Sequence, residues 1–110
     1  MTKLQTIVLG GLLFFTGCAG GLDDEKLAAL SPQEAGRQVV EKKCFSCHTI
    51  QGQGGTRAPN LSTIGERLTP EGLKQFITDP QSVKPNSAMR KINLSEKQID
   101  WVVAYLSELK

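Results

Sequence analysis

The sequence predicts an all-α domain, on the strength of three helix-start signals and the lack of any convincing run of apolar residues at period two. Ser31-Pro32-Gln33-Glu34 is a capping-box pattern with proline at the first helical position, where its missing N–H costs nothing. It opens a helix running to about Lys43. Ser95-Glu96-Lys97-Gln98 is a second such pattern, followed by Ile99, Val102, Val103, Leu106 and Leu109 at the spacing of one helical face. Thr69-Pro70 starts a third helix with Leu73, Phe76 and Ile77 as its apolar positions. Asp79-Pro80 stops it, because a residue before proline is pushed out of the helical region. A shorter helix is expected within residues 60–67. In all, the pattern predicts three to five helices.

Directly after the first of these helices comes Cys44-Phe45-Ser46-Cys47-His48, the most informative stretch of the chain. A C-x-x-C-H run is the attachment sequence of a c-type haem. Thiols at positions i and i+3 share one helical turn and can each form a thioether to one of the two porphyrin vinyl groups. His48 then offers an imidazole nitrogen to the iron from the proximal side. A structural zinc site needs about four Cys or His ligands, and this chain has 3 Cys and 1 His in all, so zinc is short of a ligand. A redox C-x-x-C is expected near a βαβ pattern, and no strand-helix alternation is visible.

Composition also limits what else can reach that iron. His48 is the single histidine, so bis-histidine ligation within one chain is excluded. Of the two methionines, Met1 belongs to the leader, which leaves Met89 as the distal thioether. His/Met ligation closes both axial positions and raises the reduction potential, which suits an electron carrier. The competing reading of Met89 is a gap-filler in the core. Its setting, Lys84-Pro85-Asn86-Ser87-Ala88-Met89-Arg90-Lys91, is polar and shows no apolar periodicity.

The N-terminus reads as an export signal. Lys3 supplies a short positive region, and residues 4–15 are an apolar run of roughly a dozen, well short of the roughly 20 needed to span a bilayer. Phe15-Thr16-Gly17-Cys18 follows and resembles the lipobox of bacterial lipoproteins, with Phe15 where that motif usually has Leu. The resemblance implies that residues 1–17 are a signal peptide and that Cys18 is acylated, which gives the odd third thiol a use. Two other readings are an ordinary leader cut near Ala19 and an uncleaved anchor. Export agrees with covalent haem attachment, which bacteria complete outside the cytoplasm. Residues 18–30, Gly-rich and then acidic, are expected as a tether, with a helical turn over 24–30 packed on the domain as the alternative. Residues 31–110 are expected to form the haem domain.

A domain this small is marginal on side-chain packing alone, and a buried porphyrin would add apolar mass to its core. The 13 basic and 11 acidic residues nearly balance, which argues against a nucleic-acid role.

The haem domain resembles the small monohaem class I cytochromes c, on five features in the same order. They are Gly36 in the first helix, the C-x-x-C-H, Pro59-Asn60-Leu61 after a Gly-rich loop, the Met loop, and a last helix with Val102-Val103-Ala104-Tyr105-Leu106. The likeness runs from about residue 32 to 109. It implies the cytochrome c fold around one covalent haem c. It further implies that Gly36 lets the first helix cross the last closely near Val102 and Tyr105, and that the Pro59 carbonyl accepts the second ring N–H of His48. By the same resemblance, Arg67 matches a position whose side chain often holds a haem propionate in relatives. Arg90 departs from the proline that many bacterial relatives have directly after the Met.

Trp101 and Tyr105 are expected as packing residues. Gln51-Gly52-Gln53-Gly54-Gly55 lacks the Lys-Ser/Thr ending of a phosphate loop and is expected as a flexible loop over the haem. Lys42, Lys43, Lys84, Arg90 and Lys91 flank the haem motif or Met89 in sequence and are placed to ring an exposed haem edge and steer an acidic partner, or simply to solvate a surface. The expected function is that of a lipid-anchored, extracytoplasmic, monomeric single-electron carrier between redox proteins, with no small-molecule substrate and no chemistry of its own. Two alternatives stand beside it: a haem protein with an open distal site, acting as peroxidase or gas sensor, and a haem subunit of a larger oxidoreductase.

Overall fold

The computed structural model describes residues 22–110, so the leader at 1–17 and Cys18 lie outside the described residues. Among the described residues six helices follow one another, one more than the expected three to five because α1 and the one-turn α5 both form: α1 (Asp24–Ala28), α2 (Pro32–Lys43), α3 (Ile64–Arg67), α4 (Pro70–Thr78), α5 (Pro80–Val83) and α6 (Glu96–Leu106). A two-residue antiparallel pair, β1 (Thr49–Ile50) with β2 (Gln53–Gly54), is the one departure from an all-α chain among the described residues. Among these residues no helix is long and apolar enough to cross a membrane.

The helix starts follow from local chemistry. The Ser95 hydroxyl accepts from Gln98 N at 3.1 Å while the Gln98 amide oxygen accepts from Ser95 N at 3.0 Å, a complete capping box. Ser31 accepts from Glu34 N, but the Glu34 carboxylate turns away to Arg37. Thr69 caps α4 through Gly72 N. Pro80 does more than end α4: with its N–H already missing it occupies the first position of the one-turn helix α5.

The core lies between α2 and α6. Ala35, Val39 and Val40 of α2 are fully buried against Trp101, Val102 and Leu106 of α6, with Ile64, Leu73 and Ile77 closing the side formed by α3 and α4. The helices meet at Gly36, where a Cβ would stand 2.8 Å from the Tyr105 Cβ and closer still to the Trp101 carbonyl, the peptide group that precedes Val102. Lys74 Nζ ties α4 to α6 at 3.0 Å from Asp100 Oδ1.

The expected tether needs correction over part of its length. Residues 24–28 are helical, capped by the Asp23 carboxylate, and Leu27 is only 3% exposed. The Gln98 side chain donates to Asp24 at 2.8 Å and joins α1 to the start of α6. One buried leucine and one bond are enough to dock a single turn that would not be stable in isolation.

Candidate functional site

The C-x-x-C-H stretch continues the end of α2 as a further turn. Cys44 N donates to Val40 O at 2.8 Å, and the Cys44 carbonyl then accepts from both Cys47 N (3.2 Å) and His48 N (3.0 Å). This winding brings the two cysteines and the histidine of the motif into one compact feature. The cysteines differ in setting: Cys44 is buried and Cys47 exposed, and burial, assisted by the neighbouring Cys47, pushes the Cys44 thiol up to about 11.

His48 Nδ1 lies 2.7 Å from the carbonyl oxygen of Pro59. A carbonyl can only accept, so Nδ1 carries the proton and donates, and the lone pair of Nε2 is left for a metal. The bond also sets the ring's orientation, which is the usual task of such a partner to a ligating histidine. Next to Pro59, the carbonyl of Asn60 accepts from an Arg67 η nitrogen at 3.0 Å, so Arg67 closes over the same turn.

The glycine-rich loop, expected to be flexible, is pinned onto this turn. Gly55 N donates to Phe45 O (2.7 Å), Ala58 N to Cys47 O (2.9 Å), Leu61 N to Thr49 O (2.8 Å), and the Thr49 hydroxyl to Gly55 O (2.6 Å). Gly54, at φ +101°, and Gly55 would place a Cβ 2.2 Å from the His48 carbonyl and 2.5 Å from the Ser46 carbonyl respectively. Only glycine permits this approach of backbone to backbone. The glycines that made the segment read as loose in sequence are what lets it lie flat against the Cys-x-x-Cys turn.

Met89 stands on a separate loop after α5. Its side chain is half-buried, its N–H donates to Ser87 Oγ at 3.2 Å, and its carbonyl accepts from Gln81 Nε2 at 2.8 Å. Thus Cys44, Cys47, His48, Pro59 and, through Asn60, Arg67 are drawn into one cluster, while Met89 is held by its own contacts. Gln81 carries no signal in the sequence. It is an ordinary polar residue on a one-turn helix, and its bond to Met89 follows no local spacing rule.

An α2/α6 crossing at a glycine, a Cys-x-x-Cys-His turn at the end of α2 and an oriented imidazole together define a domain of the c-type haem class. Residues 33–110 match the family model of cytochrome c, and the chain belongs to that family. It is 35% identical over 85 residues to cytochrome c oxidase subunit 2 of Alkalihalophilus pseudofirmus, a match that takes in 68% of this chain and 25% of that one. It is 33% identical over 85 residues to cytochrome c oxidase subunit 2 of Bacillus subtilis, with 64% and 24% covered. It is 32% identical over 78 residues to a nitric oxide reductase subunit of Stutzerimonas stutzeri, with 64% and 53% covered. The chain therefore spans about a quarter of the length of these oxidase subunits and about half that of the reductase subunit.

A domain of this family is a haem electron-transfer unit, and its cofactor is covalently bound haem c. The donor set fits that group: two thiols three residues apart, an imidazole with its Nε2 lone pair available, and a methionine thioether. So does the distribution of apolar side chains, since Phe45, Leu61, Leu68, Ile92 and Leu94 pack on the core yet stay half-buried, suited to a flat apolar ring.

Proposed function

We propose that this chain is a single-electron carrier, a c-type cytochrome tethered by lipid on the extracytoplasmic side of a bacterial membrane, passing electrons between larger redox proteins. The observation that carries the reading is the His48 ring, its Nδ1 engaged at 2.7 Å by Pro59 so that Nε2 is left for iron; Met89, the one methionine outside the leader, is the second ligand the sequence offers. Together they would supply the iron with two protein ligands and leave no position for a substrate.

When bound, the haem supplies one-electron iron chemistry. Cys44 and Cys47 would hold it through their sulfurs, His48 Nε2 and the Met89 thioether would be the ligands offered to its iron, and Pro59 would keep the imidazole from turning. Arg67 would be the propionate partner: a guanidinium has five N–H donors, and the bond to Asn60 O engages one η nitrogen. Cys18 carries the lipid. Lys42, Lys43, Lys84, Arg90 and Lys91, all exposed, steer an acidic partner into a brief contact of the small size usual for redox encounters.

Carbon monoxide tests this reading against the peroxidase or sensor alternative. A ferrous protein with both axial positions filled takes up the gas slowly at neutral pH, and fast uptake with peroxide turnover would replace the carrier by an open-site haem protein. The basic ring is checked separately: anionic ferricyanide should oxidise the protein faster than a cationic cobalt complex, and only the ferricyanide rate should fall with salt.

One further reading is favoured by the names of the relatives, which are subunits of an oxidase and a reductase. In it the chain is the haem subunit of a larger oxidoreductase. Purification from detergent-solubilised membranes distinguishes the two, since a carrier comes off alone and a subunit brings stoichiometric partners.

A further inference from the structure

We propose that Gln81 is the positioning residue of the methionine loop: its side-chain amide grips the Met89 carbonyl and thereby fixes the main chain from which the thioether is presented. The inference rests on the reading of Met89 as an axial ligand.

Among the described residues, 88–91 make no backbone-to-backbone hydrogen bond. Side chains take over that task at Met89. Its N–H is satisfied by Ser87 Oγ at 3.2 Å and its carbonyl by Gln81 Nε2 at 2.8 Å, and the same Nε2 lies 3.3 Å from the Ser87 carbonyl. Both of its acceptors are carbonyl oxygens, so only the NH2 end of the amide can face them, which settles its orientation. Ser87 belongs to the loop and moves with it. Gln81 does not. It sits on α5, whose first residue, Pro80, is among the most deeply buried side chains of the domain. Lys84 N closes the turn of α5 on Pro80 O at 2.9 Å, and the Ser82 hydroxyl closes it on Asp79 O at 2.8 Å. A line of fixed contacts therefore leads from the core through Pro80 and α5 to Gln81 and on to the backbone of Met89.

The consequence is thermodynamic. An external ligand binds only the fraction of molecules whose thioether has left, so its apparent affinity scales with that fraction. Without the amide the loop detaches more readily and the fraction rises. We expect about a tenfold change, equivalent to about 1.4 kcal/mol.

The test uses the full-length, haem-loaded protein and two variants, Gln81→Ala and Gln81→Glu. The carboxylate of the second is nearly isosteric but can only accept, so it faces the two carbonyls with no proton to give. The probes are imidazole binding to the oxidised protein, carbon monoxide uptake by the reduced protein, and the red sulfur-to-iron charge-transfer band. Expected in both variants are imidazole bound about tenfold more tightly, faster gas uptake and a weaker band, with unchanged far-ultraviolet circular dichroism. A general loss of stability would lower the melting temperature without moving the imidazole affinity, and that pattern overturns the inference. If the parent itself lacks the sulfur band, Met89 is not the ligand and the inference falls with that reading. If the parent shows the band and both variants bind imidazole as it does, Met89 keeps its role and Gln81 loses the one proposed here.

Discussion

Gly36 on α2 lies against Trp101 on α6 so closely that a Cβ at position 36 would stand 1.9 Å from the Trp101 carbonyl oxygen. Backbone, not a movable side chain, fills that space. Any larger residue must force the two helices apart, and with them Val39, Val40, Val102 and Leu106, which fill the core between them. Gly36→Ala is expected to destabilise the haem-loaded protein by about 1 to 3 kcal/mol, read as a lower guanidinium midpoint. A midpoint equal to the parent's would mean that the crossing is looser than its geometry indicates.

Attachment through two thioethers has a chemical signature. Haem on the exported protein should survive acidified acetone and appear in the mass of the intact chain. Cys44→Ala and Cys47→Ala should each keep the haem through one remaining bond, and the double variant should surrender it to the solvent. Extraction of haem from the unaltered protein would contradict the assignment of both sulfurs.

Arg37 bonds to Glu34 and Glu41 along α2, and its hydrogen bond holds the Glu34 carboxyl below the ordinary carboxylate value of 4.5. A lowered folded-state value adds stability that is fully present above the ordinary value and is lost as pH falls through the lowered one. The melting temperature should therefore fall on the acid side, and Arg37→Gln should flatten that fall. All three side chains are about 40% exposed, so the difference is small. An acid limb identical in the variant would show that the ion pairs contribute nothing.

What could be read from the sequence was what is encoded locally. Ser95 with Gln98, Thr69 with Pro70 and the Cys44-to-His48 run each carry their meaning within five residues, and each forms the helix start or turn its pattern dictates. What escaped depended on contacts between distant segments. Leu27 docks α1, and the sequence leaves that packed turn only as an alternative to a tether, because Leu22, Leu27 and Leu30 in a short acidic stretch do not by themselves mark which leucine is buried. Gly54 and Gly55 look like flexible punctuation, and only the folded chain reveals the carbonyls of His48 and Ser46 beneath them. The bond of Gln81 to Met89 spans eight residues across a loop with no repeating pattern. Pro80, which stops α4, also stands first in α5, a second role that no local pattern marks.

The measurement closest to the central claim is the optical spectrum of the exported, haem-loaded protein, oxidised and reduced, alongside Met89→Ala. With Met89 on the iron, the oxidised parent shows the red sulfur-to-iron band, Met89→Ala loses it and has a lower reduction potential, and carbon monoxide uptake is slow in the parent and fast in the variant. A parent without the band whose ferrous form takes up carbon monoxide at once would contradict the closed His48/Met89 site and leave an open-site haem protein in place of an electron carrier.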